Sequence, residues 1–177
     1  MNISEQEYLR ADRKSSHNTE YWAERITNVA PASFRHALLS VRVLMSCSEQ
    51  LREPHTALLG TSARVHVDAE RVFLRPAVVL AERPPNGPID VITAPHAVFE
   101  VVSAMTVERA RGTLRAVCAR LSSLEHFLLI MEHEVRVEHY QRIDGGRWDA
   151  SSLNCGDLVF IESLGIRFSV NDLYVWK

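Results

Sequence analysis

The chain has 177 residues, 46% apolar and 24% charged, with a formal net charge of −2. That length suits one domain with a sizeable core, so residues 1–177 are read as a single unit. The near-neutral balance excludes a global basic field of the kind that announces nucleic acid, and no apolar run reaches membrane-spanning length.

Three cysteines, Cys47, Cys118 and Cys155, lie far apart and form no CxxC pair. They make neither a disulfide framework nor a metal signature. The start, Met1-Asn2-Ile3-Ser4-Glu5, is polar and acidic and does not read as a signal peptide. A reducing cytoplasm is the expected setting, with no membrane partner.

Ser4 followed by Glu7 is a capping-box start for a short helix. Asp12 to Thr19 is polar and basic and reads as a loop. Glu20-Tyr21-Trp22-Ala23-Glu24-Arg25-Ile26 carries the aromatic bulk of a strand. Ser33 caps a long helix over Phe34 to Arg52, which Pro54 terminates. Its spacing places Phe34, Ala37, Leu38, Val41, Leu44, Met45 and Leu51 on one face, taken as the core face.

Ala63 to Asp68 alternates like a half-buried strand with His66 on its polar side. Nothing at metal spacing accompanies His66, so it reads as a surface histidine. Val72 to Leu80 is a strand region in which Pro76 implies an edge, a bulge or a break. Arg83 to Pro95, rich in proline, is a loop. Thr106 to Ser122 is a second helix with Val107, Ala110, Leu114, Val117, Cys118 and Leu121 on its apolar stripe. Arg109, Arg111, Arg115 and Arg120 lie outside the stripe, either as a solvated flank or as a flank facing phosphates. His126 to Ile130 is an apolar strand, so strand, helix and strand form a crossover unit. Glu134 to Arg142 returns through Asp144-Gly145-Gly146-Arg147 and Trp148 as a hairpin. The tail from Asp157 holds short apolar segments around Gly165.

The stretch Ala97 to Ser103 organises the rest. It reads as a central strand covered on both faces, yet Glu100 stands in its middle on the side of Val98 and Val102. A lone ionised carboxylate there is costly to desolvate. It must hold a cation, pair with a base, reach solvent or keep a proton, and a structural ion pair competes with a functional site.

The order of Glu7-Tyr8-Leu9, Glu20-Tyr21-Trp22, Ala32-Ser33-Phe34-Arg35-His36, Phe99-Glu100-Val101-Val102-Ser103, Ser123-Leu124-Glu125-His126-Phe127-Leu128-Leu129, Ser163-Leu164-Gly165-Ile166 and Asp172-Leu173-Tyr174 resembles the Uma-type "putative restriction endonuclease" family of the PD-(D/E)XK nuclease superfamily. The resemblance runs along nearly the whole chain. It implies an α/β restriction-endonuclease-like core, a central mixed sheet flanked by helices. It also implies a magnesium-dependent phosphodiesterase whose carboxylates come from adjacent strands, with a lysine that steadies water and phosphate.

Set against that pattern, this chain departs at four positions. Arg25 stands where the resemblance implies an acid after Asp-Gly, Ala77 where it implies the aspartate after Pro76, and Leu114 where it implies the lysine. Ala110 replaces a further acid. Glu100 alone remains, so the expectation is a vestigial site with no cofactor and an ion pair between Glu100 and Arg25, with Arg75 as the other arginine for that role. Three functions follow: a non-catalytic structural or interaction protein, expected as a homodimer; an active magnesium endonuclease using Glu100 with displaced carboxylates such as Glu20, Glu24, Glu82 or Asp90; and a DNA-binding module using Arg109, Arg111 and Arg115.

Overall fold

The computed structural model describes residues 3–83 and 90–175. Helix α1 (Glu5–Asp12) opens on the Ser4–Glu7 capping box. Strands β1 (Thr19–Trp22) and β2 (Arg25–Asn28) form a hairpin, and β1 also pairs antiparallel with β5 (Val72–Leu74). With β4 (Arg64–Val67) and the short β7 (Val91–Ile92) they make a small sheet in the order β2-β1-β5-β4-β7. Part of the Arg83–Pro95 loop, residues 84–89, lies outside the described residues. The rest is not all loop, because β7 pairs in parallel with β4.

The larger sheet is mixed, in the order β11-β10-β9-β8-β6-β3. Its strands are β3 (Thr56–Gly60), β6 (Val78–Glu82), β8 (Pro95–Val102), β9 (His126–Met131), β10 (Arg136–Arg142) and β11 (Trp148–Asn154). Only β8 and β9 run parallel, joined by the crossover helix, as the strand–helix–strand pattern requires. Pro76 breaks the Val72–Leu80 region as expected: Arg75-Pro76-Ala77 carries the chain from β5 in one sheet to β6 in the other.

The crossover helix runs from Val107–Arg109 through a π-helical stretch, Ala110–Leu114, to Arg115–Cys118. Ala110, Leu114, Cys118 and Leu121 are buried, so its apolar stripe is the one the spacing marks, although the helix stops short of Ser122. A hairpin of β12 (Leu158–Ile161) and β13 (Ile166–Ser169), then a short helix Val170–Tyr174, completes the chain.

Apolar side chains collect on both faces of the large sheet. Ala97, Phe99 and Val101 pack with helix α2 (Phe34–Ser48), the β12–β13 hairpin and the last helix. Val98 and Val102 pack with the crossover helix and the small sheet. Helix α2 corrects two expectations. It ends at Ser48 instead of reaching Arg52, and its core face holds Leu39, Val43 and Cys47, with Ser40 beside them. Phe34, Val41 and Met45 are exposed, Phe34 at 81%. The helix is apolar on two sides, and β13 and the last helix cover the side that the spacing did not select.

Asp12, read from sequence as the start of a loop, is a buried anchor. Its carboxylate takes hydrogen bonds from Thr19 Oγ1 and from the guanidiniums of Arg64 and Arg75. His66 is half-buried, stacked on Phe73 with ring centres 4.1 Å apart and 3.3 Å from the Glu5 carboxylate.

Candidate functional site

Two strands from different sheets and the start of the crossover helix converge on one cleft of about 870 Å3. Period-2 alternation along β8 turns Glu100 away from Phe99 and Val101 and into this cleft. Across the β6–β8 ladder, Val78 pairs with Phe99, so the next step outward sets Ala77 against Glu100. The Ala77 N–H donates to the Glu100 carboxyl. Ala77 lines the cleft too, and its methyl group carries no ligand atom.

β1 brings Glu20 and Trp22 to the same cleft. The Glu20 carboxylate is heavily engaged: Oε2 accepts from Trp22 Nε1 at 3.0 Å and from Arg109 at 3.2 Å, and Oε1 accepts from the Arg75 backbone N–H at 3.4 Å. The Arg109 guanidinium also lies over the Trp22 ring, 4.9 Å from its centre. Burial pushes the Glu100 carboxyl well above the usual carboxylate range, and the neighbouring Glu20 charge adds to that. Arg109 and the Ala77 N–H pull in the other direction with less effect.

The expected ion pair between Glu100 and Arg25 is not formed. Arg25 lies on β2, exposed, opposite Trp22 in the hairpin register. Ala23 and Glu24, with φ of 42° and 78°, make the two-residue turn between them, the two positions that favour Asn-Gly or Asp-Gly in such hairpins. This turn fixes Arg25 as the first residue beyond it. Arg75 is likewise committed elsewhere. It is buried against Asp12 and donates to the carbonyls of Thr19, Thr61 and Ser62. The cation facing Glu100 is Arg109, on the flank that the sequence reads either as solvated or as facing phosphates.

That flank is taken up within the chain. Arg111 is held by Glu138 and Glu108, Arg115 lies over Tyr140 at 5.0 Å, and Arg120 meets Glu70 at 3.1 Å. Leu114 and Ala110 line the cleft while packing into the core. Of the displaced carboxylates, only Glu20 reaches Glu100. Glu24 pairs with Arg71, Asp90 with Arg13 and Arg64, and Glu82 is exposed at the end of β6.

The sequence pattern ends the strand at Ile130 and does not single out Glu132, but β9 continues to Met131, and the N–H of Glu132 then bonds to Val102 O at 2.9 Å. Its carboxylate accepts from Ser33 Oγ, the cap of α2, at the other end of the cleft. His36 faces it there, held below its ordinary pKa by burial against the raising effect of Glu132.

The donor set does not fit a magnesium ion. Glu20 has its oxygens engaged by three N–H donors, Ala77 and Leu114 supply no ligand atom, and among the described residues no three His, Cys, Asp or Glu side chains converge on one point. The chain has two lysines, Lys14 and Lys177. Lys14 is exposed after α1 and does not line the cleft, and Lys177 lies outside the described residues.

A family profile described as Uma2, "Putative restriction endonuclease", matches residues 5–172. An uncharacterized protein of Synechocystis is 24% identical over 173 residues, covering 97% of this chain and 91% of that one. A second uncharacterized Synechocystis protein is 23% identical over 145 residues, covering 80% and 82%. A crystal structure of a "putative nuclease belonging to DUF820" from Anabaena variabilis superposes with a TM-score of 0.76 over 97% of both chains, at 16% identity. The mixed α/β architecture is thus that of the restriction-endonuclease-like fold.

Proposed function

The chain belongs to the Uma2 family, and from that premise we propose that it keeps the nuclease fold without the phosphodiesterase chemistry and serves as a non-catalytic interaction protein. The observation that carries this reading is Ala77 against Glu100, with the second carboxylate, Glu20, already bonded to Arg109. Magnesium needs near-octahedral oxygen donors, and its catalytic use needs a placed water and phosphate. A single available carboxylate does not organise either. No cofactor is part of this reading.

The test is nicking of supercoiled plasmid, single-stranded DNA and RNA with millimolar Mg2+ or Mn2+. No cleavage above buffer is expected. Cleavage that Glu100→Ala abolishes would overturn the reading in favour of an active endonuclease, for which the sharing of one cleft by Glu20 and Glu100 is the supporting observation. DNA association through Arg109, Arg111 and Arg115 is disfavoured because each is engaged within the chain, and a low-salt gel shift with these three neutralised tests it. A homodimer remains part of the proposal, with the outer edges of β2, β3 and β11 as the surfaces open to a second copy. Sedimentation velocity reads that directly. A cytoplasmic setting is proposed with it.

A further inference from the structure

Arg109 shows what the cleft does with a cationic group. Its guanidinium rests on the Trp22 ring at 4.9 Å and bonds to Glu20 at 3.2 Å, an aromatic face and a carboxylate closing on one planar charge. Beside this seat the cleft keeps an excess of acid. Glu20, Glu100 and Glu132 line it. Of the two lining arginines, Arg75 is tied to Asp12 and Arg109 is bonded to Glu20, while Glu132 has His133 at 3.8 Å. Glu100 takes one backbone N–H, and none of the ion pairs within 4.0 Å among the described residues includes it. The remaining wall is largely apolar, including Val29, Pro31, Val101 and Leu114. A volume of about 870 Å3 is that of a small-molecule site.

We propose that this cleft is a receptor for an organic cation, an alkylguanidinium or alkylammonium group on an apolar stem, which sets its charge against Glu100 next to the Trp22–Arg109 stack. The inference rests on the reading that no magnesium site assembles here. A metal demands several oxygens at fixed distance and angle, which Ala77 and the engaged Glu20 deny. A delocalised organic charge accepts one carboxylate and an aromatic edge, and its stem covers the apolar wall. The group comes either from a free amine or guanidine or from the side chain of a peptide.

The experiment is calorimetric titration of the full chain with agmatine, with acetyl-arginine amide, with inorganic phosphate and with MgCl2. One agmatine or one arginine amide per chain is expected, and the tighter of the two identifies the source. Glu100→Gln, nearly isosteric, should weaken binding roughly tenfold or more. Arg109→Gln should tighten it severalfold, because it removes a like charge and vacates the Trp22 seat. Thermal melts establish that both variants fold. Silence of agmatine and arginine amide together with silence of Mg2+ would sink the inference and leave the non-catalytic reading standing. Saturable Mg2+ binding lost in Glu100→Gln would sink both. Agmatine binding equally to wild type and Glu100→Gln would place the ligand elsewhere and overturn the assignment.

Discussion

Ala77 stands directly across the ladder from Glu100, one step beyond the Val78–Phe99 pair, and gives that carboxyl its backbone N–H. An aspartate at 77 would put a second acid beside the first in a position that is 2% exposed. Ala77→Asp is therefore expected to lower stability by about 2–4 kcal/mol in the absence of metal, from a buried charge facing like charge. Millimolar Mg2+ should recover part of that loss in the variant and leave the wild-type melting temperature unchanged. Thermal unfolding with and without Mg2+ checks both statements, and a wild-type shift equal to the variant's would contradict the account.

Asp12 is a second buried acid, but its charge is matched. Two guanidiniums, of Arg64 and Arg75, close on one carboxylate, and all three side chains are nearly inaccessible. These bonds and the Thr19 hydroxyl hold the Asp12 carboxyl below its ordinary pKa against the opposing effect of burial. Asp12→Ala strands two buried cations and is expected to cost about 3–5 kcal/mol. Arg13→Ala breaks only the rim pair with Asp90 and is expected to cost under about 1 kcal/mol. Urea unfolding of the two variants measures the contrast.

His126 Nδ1 and His139 Nε2 meet at 2.9 Å across β9 and β10, both buried. Burial, and then the His126 charge, pushes His139 down to about 4, and burial lowers His126 as well. A histidine whose folded pKa is depressed stays neutral in the folded chain while the unfolded chain takes up a proton. Stability is accordingly complete above pH 6.5 and falls as pH drops from there towards 4, by roughly 3 kcal/mol for His139. His139→Gln should flatten the slope of unfolding free energy between pH 6.5 and 4.5, above the range where the depressed carboxylates Asp12 and Glu138 begin to protonate.

The β1–β2 turn holds Ala23 and Glu24 in left-handed conformations that suit Asn-Gly. Replacing both, as Ala23→Asn with Glu24→Gly, relieves that strain and gives up the exposed Glu24–Arg71 pair at 3.0 Å. A net gain of about 0.5–2 kcal/mol is expected, because an exposed pair contributes little. A lower melting temperature in the double variant would contradict it.

Much of this fold can be read along the chain because its signals are local. The apolar run around Glu100, the stripe of the crossover helix, the Gly145-Gly146 turn and the break at Pro76 each depend on a few neighbouring residues, and each appears where those residues place it. The face of α2 was not legible. Phe34, Val41 and Met45 compete with Leu39, Val43 and Cys47 at equal helical spacing, and only distant elements, the large sheet, the β12–β13 hairpin and the last helix, decide between them. The position of Glu100 on its strand was local and clear, whereas its neighbours were not. Choosing Arg109 over Arg25 or Arg75 requires knowing that Asp12 claims Arg75 and that the β1–β2 register turns Arg25 outward. Glu132 escaped because a strand end shifted by one residue hides the acid that follows it.

Arg75-Pro76-Ala77 is a covalent corner shared by both sheets, and two of its three residues line the cleft. With proline fixing one torsion there, the walls cannot swing apart like jaws without distorting two hydrogen-bonded ladders at once. Entry and exit are therefore matters of side-chain rotation at the mouth, which makes the site a fixed socket whose occupant must already have the right shape.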